Sequence, residues 1–423
     1  MEMKLISLLD IQSLLAYKSF FLKQQANMKI VFLHPDLGLG GAEQLIVQLA
    51  YGLQLQGHSV VVYTNYFDEK RCFKECEKLE IHKVYDLPKS VFGYGHVFCA
   101  WIKFILMSIY VLMVEKCDVF VVDQVSIGNP LLQMKAPVYF YCHFPDLLLT
   151  QRHSILKRIY RWPFDTLERW TTNMASTVFV NSNYTKDIYI NTFGDRELQV
   201  LYPGIQFTKY NGPELWATKA QKNVILSINR FERKKRIDRA IIAYNEANLK
   251  ESVLLIAGGY DERITENKHY LLELQELCDS VELSYLQLDG KSISKIDLNA
   301  NVVFLTSFTD TQKQWMLSHS KVLLYTPSNE HFGIVPVEGM AYGLPTIGMK
   351  SGGPLETVVH GQSGFLCRDL PTIEIHEMSN FIIEITENKQ LWTDMSRFCK
   401  KRFESKFSVD TMISKFEDSL DIQ

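Results

Sequence analysis

Short apolar runs separated by longer amphipathic stretches recur along the chain and predict strands alternating with helices. MKIVFLHP is an apolar, β-branched run that stops at Pro35, and HSVVVYT is a second such run. Between them lie the glycine-bearing turn DLGLGG and a run with helical spacing from Ala42 to Gln56, closed by Gly57. Strand, turn, helix and strand in this order predict a βαβ unit, and therefore a parallel sheet.

The same alternation continues in two series. The strands predicted for the first series are completed by CDVFVVDQ, APVYFYCH and STVFVNS. Those of the second are NVILSINR, SVLLIAGG, NVVFLTS, KVLLYTP, LPTIGM and SGFLC. Between the series, LYPGIQFTKYNGPELW lacks periodicity and is rich in turn residues, which indicates a domain boundary. We therefore expect an α/β protein with two doubly wound, Rossmann-like parallel-sheet domains that face each other across a cleft.

The domain boundaries follow from this change in pattern. Residues 28–207 are predicted to form an N-terminal Rossmann-like domain, and residues 208–405 a C-terminal Rossmann-like domain. Residues 1–27 precede the first predicted strand and form an N-terminal extension, which is either a membrane-binding segment or an artefact of start-site choice. Residues 406–423 are predicted to form a C-terminal helix that packs back across the domains.

Composition and missing motifs exclude several classes of protein. A formal net charge of −3 over 423 residues excludes a strongly basic nucleic-acid binder on global grounds. The eight cysteines lack paired spacing, which favours reduced thiols over a disulfide framework. The turn DLGLGG has Gly38 and Gly40, but Glu43 replaces the third glycine of the dinucleotide fingerprint, so a dehydrogenase is disfavoured. A P-loop, an Asp-x-Asp motif and a histidine cluster are absent, and we expect no bound metal.

Two apolar segments raise the question of a membrane. The N-terminal MKLISLLDIQSLLAYKSFFLK is broken by Asp10 and Lys18 and lacks the continuous apolar centre of a signal peptide. The run Trp101–Val114 carries Lys103 and is predicted to be too short to cross a bilayer. It is either a buried helix or a helix lying in a membrane surface, and the residues alone favour the buried helix.

The segment NEHFGIVPVEGMAYG places two carboxylates beyond the end of the predicted strand KVLLYTP. Glu330 falls in the loop after that strand. Pro336 suits the first position of a helix and Gly343 the position just past its end. The sequence therefore predicts a helix over residues 336–342, with Glu338 in its first turn. Two carboxylates fixed there can accept hydrogen bonds from sugar hydroxyls, although Glu338 could instead only complement the helix dipole.

Two further loops follow strands of the second series. SINRFERKKRID carries Arg230 and Lys235, whose charges suit a diphosphate. The usual explanation of such a run is solvated surface charge, and this is what we expect for the remaining basic residues, Arg233, Lys234, Arg236 and Arg239. KSGGPLETVV carries Gly352 and Gly353, which are predicted to form a backbone nest for an anion.

Together these motifs resemble those of the retaining glycosyltransferases of family 4, whose fold is called GT-B. The resemblance rests on the two glutamates with HFG between them, the Arg230 and Lys235 pair, Gly40-Gly41 and SGGPLE, and it spans about residues 28–407. HPDLGLGGAE, EHFGIVPVE and YCHFPDLLLTQRHSILKRIYRWPFDTLE carry a closer resemblance. They are similar to the eukaryotic α-1,3/1,6-mannosyltransferases of asparagine-linked glycosylation, which add the second and third mannoses to the lipid-linked oligosaccharide.

The resemblance implies a role for each matching residue. The residues that it makes catalytic are Glu330, His143, Arg230 and Lys235. Those that it places around the donor are Gly40, Gly41, Arg230, Lys235, His331, Phe332, Gly333, Ile334 and Glu338. Glu330 would hold hydroxyls of the transferred sugar, Glu338 the ribose, and His143 would lie on the acceptor side. Asn229 and Arg236 depart from the pattern, because many relatives carry glycine around the basic pair.

The resemblance also implies that residues 28–207 form the acceptor-binding domain and residues 208–405 the nucleotide-sugar-binding domain, and it implies the partners. These are a GDP-mannose donor and a dolichol-diphosphate-linked acceptor, with no cofactor, no metal and no nucleic acid. The expected location is the cytosolic face of the endoplasmic reticulum membrane, in association with other mannosyltransferases of the pathway. Segment 99–114 then becomes interfacial, and QRHSILKRIYRW becomes its basic companion through Arg152, Lys157, Arg158 and Arg161. Two alternatives stay open: a family-4 transferase with another nucleotide sugar or lipid acceptor, and a non-catalytic subunit that binds a sugar nucleotide.

Overall fold

Two parallel sheets, each of seven strands with flanking helices, make up the fold. The computed structural model describes residues 27–88, 90, 95–149, 155–215 and 222–420. Nearly all of the predicted N-terminal extension and the last residues of the predicted C-terminal helix lie outside the described residues. The two-sheet α/β architecture expected from the sequence is confirmed.

The first sheet has the strand order β3-β2-β1-β4-β5-β6-β7. Its strands are β1 (Lys29–His34), β2 (Ser59–Thr64), β3 (Glu80–Lys83), β4 (Val119–Asp123), β5 (Val138–Cys142), β6 (Thr177–Val180) and β7 (Gln199–Val200). The helices of this series are α1 (Gly41–Leu55), α2 (His96–Val114), α3 (Asn129–Leu132), α4 (Asp146–Leu149), α5 (Ile155–Asn173) and α6 (Asn183–Phe193). β1 pairs in parallel with β2 and β4, as the βαβ unit requires.

The second sheet has the strand order β10-β11-β9-β8-β12-β13-β14. Its strands are β8 (Asn223–Ile228), β9 (Ser252–Gly258), β10 (Tyr285–Asp289), β11 (Val302–Thr306), β12 (Val322–Tyr325), β13 (Thr346–Met349) and β14 (Gly364–Cys367). Its helices are α7 (Ile237–Ala247), α8 (Thr265–Ser280), α9 (Asp310–His319), α10 (Ile334–Ala341), α11 (Pro354–Thr357), α12 (Ile373–Glu387), α13 (Lys389–Lys406) and α14 (Val409–Leu420).

Both faces of the second sheet are covered, and its strands are apolar for that reason. In β9, Leu254 and Ile256 pack into one apolar cluster, while Val253 and Leu255 pack into another. Successive side chains of a strand point to opposite faces, so a strand buried on both faces reads as an unbroken apolar run. This is why SVLLIAGG and its counterparts could be recognised as strands.

Three strands escaped the sequence analysis. β3, β7 and β10 have no fully buried residue, and β3 is largely exposed. β3 and β10 are edge strands of their sheets, and β7 is the edge strand at the other end of the first. These three edge strands bury little apolar surface, unlike the edge strand β14, whose four residues are all buried, so they lack the apolar run that marks a strand.

The chain divides into two compact units. One contains the residues up to Phe140 together with Trp170–Ser176, and the other contains Tyr141–Arg169 and the chain from Thr177 onward. This division is interleaved along the sequence, whereas the predicted domains meet at residues 207 and 208. The predicted domain boundaries stay a prediction.

Helix α2 corrects one expectation. It is 19 residues long, and by length and composition it could cross a membrane. The expectation that the segment is too short was wrong, because the helix begins at His96 and Lys103 does not interrupt it. Only one face is buried, through Phe104, Met107 and Val111, so α2 is not the fully buried helix that the residues alone favoured.

Candidate functional site

Lys235 and Glu330 form an ion pair at the carboxyl ends of two neighbouring strands. Lys235 ends a short 3-10 turn after β8, and Glu330 lies in the loop after β12. β8 and β12 pair in parallel, so their carboxyl ends meet at the same sheet edge. There Lys235 Nζ lies 2.6 Å from Glu330 Oε1, with the lysine side chain 13% and the glutamate 26% exposed. Both groups therefore keep a face open to a ligand.

Glu338 lies farther along its helix than the sequence predicted. Helix α10 begins at Ile334 after Gly333, whose φ of +86° is left-handed, so Pro336 is not its first residue and Glu338 is beyond its first turn. Glu338 is therefore not a dipole-complementing residue of the first turn. Its Oε1 accepts a hydrogen bond of 2.6 Å from Lys313 Nζ. Its Oε2 is buried and has no hydrogen-bond partner within the described part of the chain.

Tyr325, the last residue of β12, links the two glutamates and was missed by the sequence analysis. The tyrosine is 4% exposed. Burial raises the pKa of its phenol well above the usual value, and the charges of Glu330 and then Glu338 raise this pKa further. Both carboxylates therefore act on the same phenol. Tyrosine is enriched in strands generally, so its presence in β12 carried no separate signal for this role.

The basic run after β8 divides into exposed and buried members. Arg230 is 64% exposed and pairs with Glu232 at 3.0 Å, so the structure does not bring its guanidinium onto Glu330 or Glu338. Arg233 and Arg236 form surface pairs, as expected. Arg236 has a φ of +48°, in the left-handed region that favours glycine. Glycine would adopt this backbone conformation without the strain that arginine bears there.

Arg239 is not the solvated surface charge that the sequence suggested. It is 5% exposed, and its guanidinium donates to Glu374, Asp369 and the carbonyl oxygen of Thr326. It also donates to Ser328 Oγ at 2.8 Å. Arg239 is on helix α7, one of whose faces is buried, and this was not apparent from the charge run. The buried arginine fixes the start of the loop that carries Glu330.

The two histidines lie on segments that contact each other. The His331 ring stacks on Phe144, with 3.7 Å between ring centroids and 5° between the ring planes. Burial lowers the pKa of His331, against the raising effect of Glu330, so the imidazole is neutral near pH 7. His143 precedes Phe144, and its ring lies 4.7 Å from that of Tyr141. The HFPD segment (His143–Asp146) and the EHFG loop (Glu330–Gly333) are thus in contact with each other.

The EHFG loop leads into helix α10 through Phe332, Gly333 and Ile334. Phe332 is 4% exposed and packs against Tyr202 and Phe407, so its side chain belongs to an aromatic cluster. Ile334 is the first residue of the helix. Backbone N–H groups of these residues are the part that the resemblance places beside the sugar, and that role stays a prediction.

Gly352 and Gly353 allow two loops to pack closely. A Cβ on Gly353 would lie 2.3 Å from the backbone of Phe332, and one on Gly352 would lie 2.4 Å from the carbonyl oxygen of Glu330. Gly353 N donates to Glu330 O at 2.7 Å, so this N–H is not free for the anion nest that the sequence suggested. The glycines instead support the backbone of Glu330.

Gly40 and Gly41 lie in the other compact unit, at the start of α1. A Cβ on Gly40 would meet only the end of the flexible Glu43 side chain, and its φ of −131° is open to any residue, so the backbone of this turn does not require glycine there. The turn is supported by His34, whose Nε2 lies 2.9 Å from the carbonyl oxygen of Asp36 and whose Nδ1 lies 2.7 Å from Asp123 Oδ1. Burial would lower the pKa of His34, but Asp123 outweighs it and the pKa is raised. No sequence pattern announced this pair.

A metal centre is not evident among the described residues, which contain no cluster of three or more His, Cys, Asp or Glu side chains suited to one. The cations paired with the two glutamates are Lys235 and Lys313. That the reaction needs no cofactor stays a prediction.

Comparison with known proteins decides the family. Residues 39–209 match the family model "Glycosyltransferase Family 4", and residues 214–402 match "Glycosyl transferases group 1". The alpha-1,3/1,6-mannosyltransferase ALG2 of Rhizomucor pusillus is 39% identical over 418 residues, covering 92% of this chain and 91% of that protein. Its Homo sapiens counterpart is 39% identical over 404 residues, covering 90% of this chain and 92% of that protein. The chain belongs to the alpha-1,3/1,6-mannosyltransferase family. It is a glycosyltransferase enzyme, and the family resemblance inferred from the sequence is confirmed.

Solved structures identify the fold of this mannosyltransferase as GT-B. Sucrose-phosphate synthase from Thermosynechococcus elongatus matches with a TM-score of 0.70 at 17% identity, over 93% of this chain and 98% of that one. WaaG, a glycosyltransferase involved in lipopolysaccharide biosynthesis, matches with a TM-score of 0.64 at 17% identity, over 93% of this chain and 100% of that one. The two-domain α/β GT-B fold is therefore confirmed.

Proposed function

We propose that this mannosyltransferase transfers mannose from GDP-mannose to Man1GlcNAc2-diphosphodolichol, adding α-1,3- and α-1,6-linked mannose with retention of configuration. The names of the relatives specify both linkages and the sugar. The observation that carries the proposal is the Lys235–Glu330 pair beside Glu338, whose second carboxylate oxygen has no partner among the described residues. Partly exposed side chains of both charges at the carboxyl ends of parallel strands suit an activated sugar, because such a sugar carries hydroxyls and a diphosphate.

On the donor side, each polar group has a chemical counterpart. Glu330 accepts hydrogen bonds from mannose hydroxyls while Lys235 neutralises it. The free oxygen of Glu338 accepts from a ribose hydroxyl, which relieves the cost of an unsatisfied buried acceptor. Arg230, exposed after β8, turns from Glu232 to the diphosphate together with Lys235. Arginine suits phosphate because its planar fork donates two parallel hydrogen bonds.

In the reaction itself, the bond between the anomeric carbon and the diphosphate oxygen breaks, and an oxocarbenium-like sugar develops. The acceptor hydroxyl attacks from the same face and passes its proton to the departing phosphate, so configuration is retained. Lys235 and Arg230 stabilise the negative charge that grows on the diphosphate, which is the kind of electrostatic assistance that dominates many enzymes. His143 lies on the acceptor side, and neutral His331, held against Phe144, excludes water beside the sugar.

The acceptor lipid requires a membrane surface, and two helices suit one. α2 buries one face in the protein and exposes Phe98 and Met113 on the other, which favours a helix lying in the surface over a spanning one. α5 exposes Ile155, Ile159 and Trp162, with exposed Lys157 and Arg158 among them. Apolar residues interleaved with basic ones suit anionic lipid headgroups.

Arg161 of α5 does not belong to that surface. It is 2% exposed and its guanidinium lies 3.0 Å from Asp146 and 3.2 Å from Asp165. The expectation that it contacts headgroups is therefore wrong, because its charge is already neutralised inside the protein. Arg152, another of the four, lies outside the described residues. We place the enzyme at the cytosolic face of the endoplasmic reticulum membrane on the basis of its relatives' pathway.

One experiment tests the proposal. Purified enzyme is incubated without added metal with GDP-mannose and a phytanyl-diphosphate carrying one mannose on two N-acetylglucosamines, and products are separated by mass. We expect products longer by one and two hexoses from the wild type and from Glu387→Ala, an exposed glutamate on α12 that serves as control. Glu330→Ala should give neither. Equal product from Glu330→Ala would refute the site, and no product from the wild type would refute the function.

Two parallel incubations separate the alternatives. UDP-glucose replaces GDP-mannose in one, and transfer from it would indicate a family-4 transferase with another donor. In the other, calorimetry follows GDP binding alone. Binding of GDP without any transfer would indicate a non-catalytic subunit.

A further inference from the structure

Three consecutive residues after β6, Asn181–Asn183, contact three different segments of the candidate site. Asn181 is 7% exposed and its Nδ2 donates to the carbonyl oxygen of His143 at 3.0 Å. This bond fixes the backbone at the start of the HFPD segment, on the side where the acceptor is expected. Asparagine is not required there to complete a strand or a helix.

Ser182 holds the second segment. It is fully buried, and its Oγ donates to the carbonyl oxygen of His331 at 2.6 Å. The same oxygen accepts from Thr185 N at 3.0 Å, which makes Ser182 the N-cap of α6. The start of α6 and the EHFG loop thus share one hydroxyl group.

Asn183 connects to the third segment through Glu356. The Glu356 carboxylate accepts four hydrogen bonds, from Asn183 N at 2.9 Å, Asn183 Nδ2 at 2.8 Å, Tyr184 N at 2.8 Å and Tyr202 OH at 3.0 Å. Hydrogen bonds to an ionised acceptor are about twice as strong as neutral ones. Arg402 in turn donates to the carbonyl oxygens of Glu356 and Thr357. Three of the four bonds reach Oε2 and one reaches Oε1, so most of the accepting capacity of Glu356 is used within the protein.

The third segment also supports the first catalytic carboxylate. Glu356 lies in α11, directly after the loop in which Gly353 N donates to the carbonyl oxygen of Glu330. Asn329 N donates to Ser351 Oγ at 3.1 Å in the same loop pair. The backbone of Glu330 is thus held from the 351–357 segment, and that segment is held by α6.

We propose that Asn181–Asn183 and Glu356 form a positioning clamp for the transfer reaction, setting the spacing between the acceptor-side His143 segment and the donor-side Glu330–His331 loop. This inference rests on the proposed function. Bond formation needs the reacting atoms about 3–3.5 Å apart, and a displacement of about 1 Å can lower the rate by about 10²-fold. Residues of the clamp act through others and are positioning residues.

The clamp predicts a specific kinetic signature. Among the residues that the structure describes, the donor-side side chains of Lys235, Glu330 and Glu338 form ion pairs that do not involve the clamp. Loosening the clamp should therefore misplace donor relative to acceptor and lower kcat, while GDP-mannose still binds. A role in stability alone would lower the unfolding temperature and leave kcat per folded enzyme unchanged.

The test compares Glu356→Ala, Glu356→Gln and the wild type by kcat, donor KM, GDP affinity from calorimetry and unfolding temperature. Asn191→Ala, an exposed asparagine on the same helix, is the matched control and should behave as the wild type. We expect kcat to fall about 10²-fold in Glu356→Ala, with GDP affinity within about twofold. Glu356→Gln should retain an intermediate kcat, because one amide oxygen still accepts hydrogen bonds.

Each contrary result has its own meaning. Unchanged kcat in Glu356→Ala, or a loss of GDP affinity in proportion to kcat, overturns the clamp. If Glu356→Ala does not fold, Tyr202→Phe removes a single donor from the carboxylate and should lower kcat severalfold at constant GDP affinity, and an unchanged kcat there overturns the clamp equally. Absence of transfer by the wild type counts against the proposed function, whereas transfer by the wild type that the variants match counts against the clamp alone.

Discussion

The charged pairs near the ends of β1 and β8, the first strands of the two sheets, differ in their exposure to solvent. His34, at the end of β1, pairs with Asp123, at the end of β4; both are fully buried, and both ring nitrogens of the histidine face oxygen atoms of the protein. In the turn after β8, Arg230 is largely exposed, and Lys235 and its partner Glu330, from the loop after β12, remain partly exposed. The first pair is saturated and shapes a backbone turn, whereas the second has capacity left for a ligand. Both pairs are charged, so charge alone does not distinguish a structural pair from a ligand-binding one. Burial and unused hydrogen-bonding capacity do.

Arg239 is buried, whereas Arg230, Arg233 and Lys234 of the same basic run are exposed. Replacing Arg239 is therefore expected to have the largest effect. Arg239→Met should lower the free energy of unfolding by about 3–5 kcal/mol, because Glu374 and Asp369 lose their buried partner. Urea denaturation measures the change. Arg397→Met, at an exposed pair with Asp394, is the control and should unfold at the wild-type midpoint. An equally small effect at both positions would show that the buried network is not structural.

Lys235 and Arg230 are the solvent-accessible cations to which the proposed mechanism assigns the diphosphate. Replacing either by alanine should lower kcat by about 10²- to 10³-fold, because the diphosphate loses a cation that stabilises its developing charge. Initial rates at saturating GDP-mannose measure this. Lys234→Ala is the matched control, since Lys234 is 65% exposed and its ion pair is with Glu232. Turnover by Lys235→Ala at the wild-type rate would remove the assigned role of that lysine.

Glu338 tests whether an unused buried oxygen indicates a ligand. Glu338→Gln should raise the KM for GDP-mannose by about 10-fold or more, since a hydrogen bond to a charged group contributes about 1.5–3 kcal/mol. We expect kcat to change much less, because the ribose is remote from the bond that breaks. The KM and kcat are obtained from one substrate titration. A lower kcat at constant KM would instead place Glu338 at the reacting sugar.

The buried His34–Asp123 pair should make the free energy of unfolding depend on pH. The pKa of His34 is raised in the folded protein, so its stabilising contribution is complete below the ordinary histidine pKa of about 6.5 and is lost as pH rises through the folded value. The groups facing the ring are Asp123 and, at 4.0 Å, Glu43. Urea denaturation between pH 6 and 9 should show wild-type stability declining relative to His34→Gln, which cannot titrate. Parallel curves for the two proteins would contradict a charged His34.

The sequence predicted the parts of this molecule that depend on local pattern. β8, β9 and β12 are apolar runs because both faces of the sheet are covered, and Gly343 ends its helix with a φ of +75°, as expected. The start of α10 was misplaced because Pro336 suits any position of a first turn, while the left-handed Gly333 gave no separate signal.

Long-range contacts could not be predicted in the same way. Arg239 meets Glu374 and Asp369 far along the chain, and Ser182 meets His331. Whether a charge is exposed, as for Arg230, or buried, as for Arg239, depends on which elements pack around it. A list of residue types in one stretch does not contain that information.

The smallest expected effect is also the sharpest check on the comparison, because Arg233 and Lys235 lie in the same short turn. Arg233 is 51% exposed, and its Nε donates to Glu273 at 3.1 Å on the surface. Exposed ion pairs are screened by solvent and contribute little, so Arg233→Ala should change neither kcat nor the unfolding midpoint. Parallel assays of Arg233→Ala and Lys235→Ala, repeated at low and high salt, measure this. If both lowered kcat equally and salt removed the difference from wild type, the rate would depend on the summed charge of the run. The position of each cation relative to Glu330 would then carry no meaning.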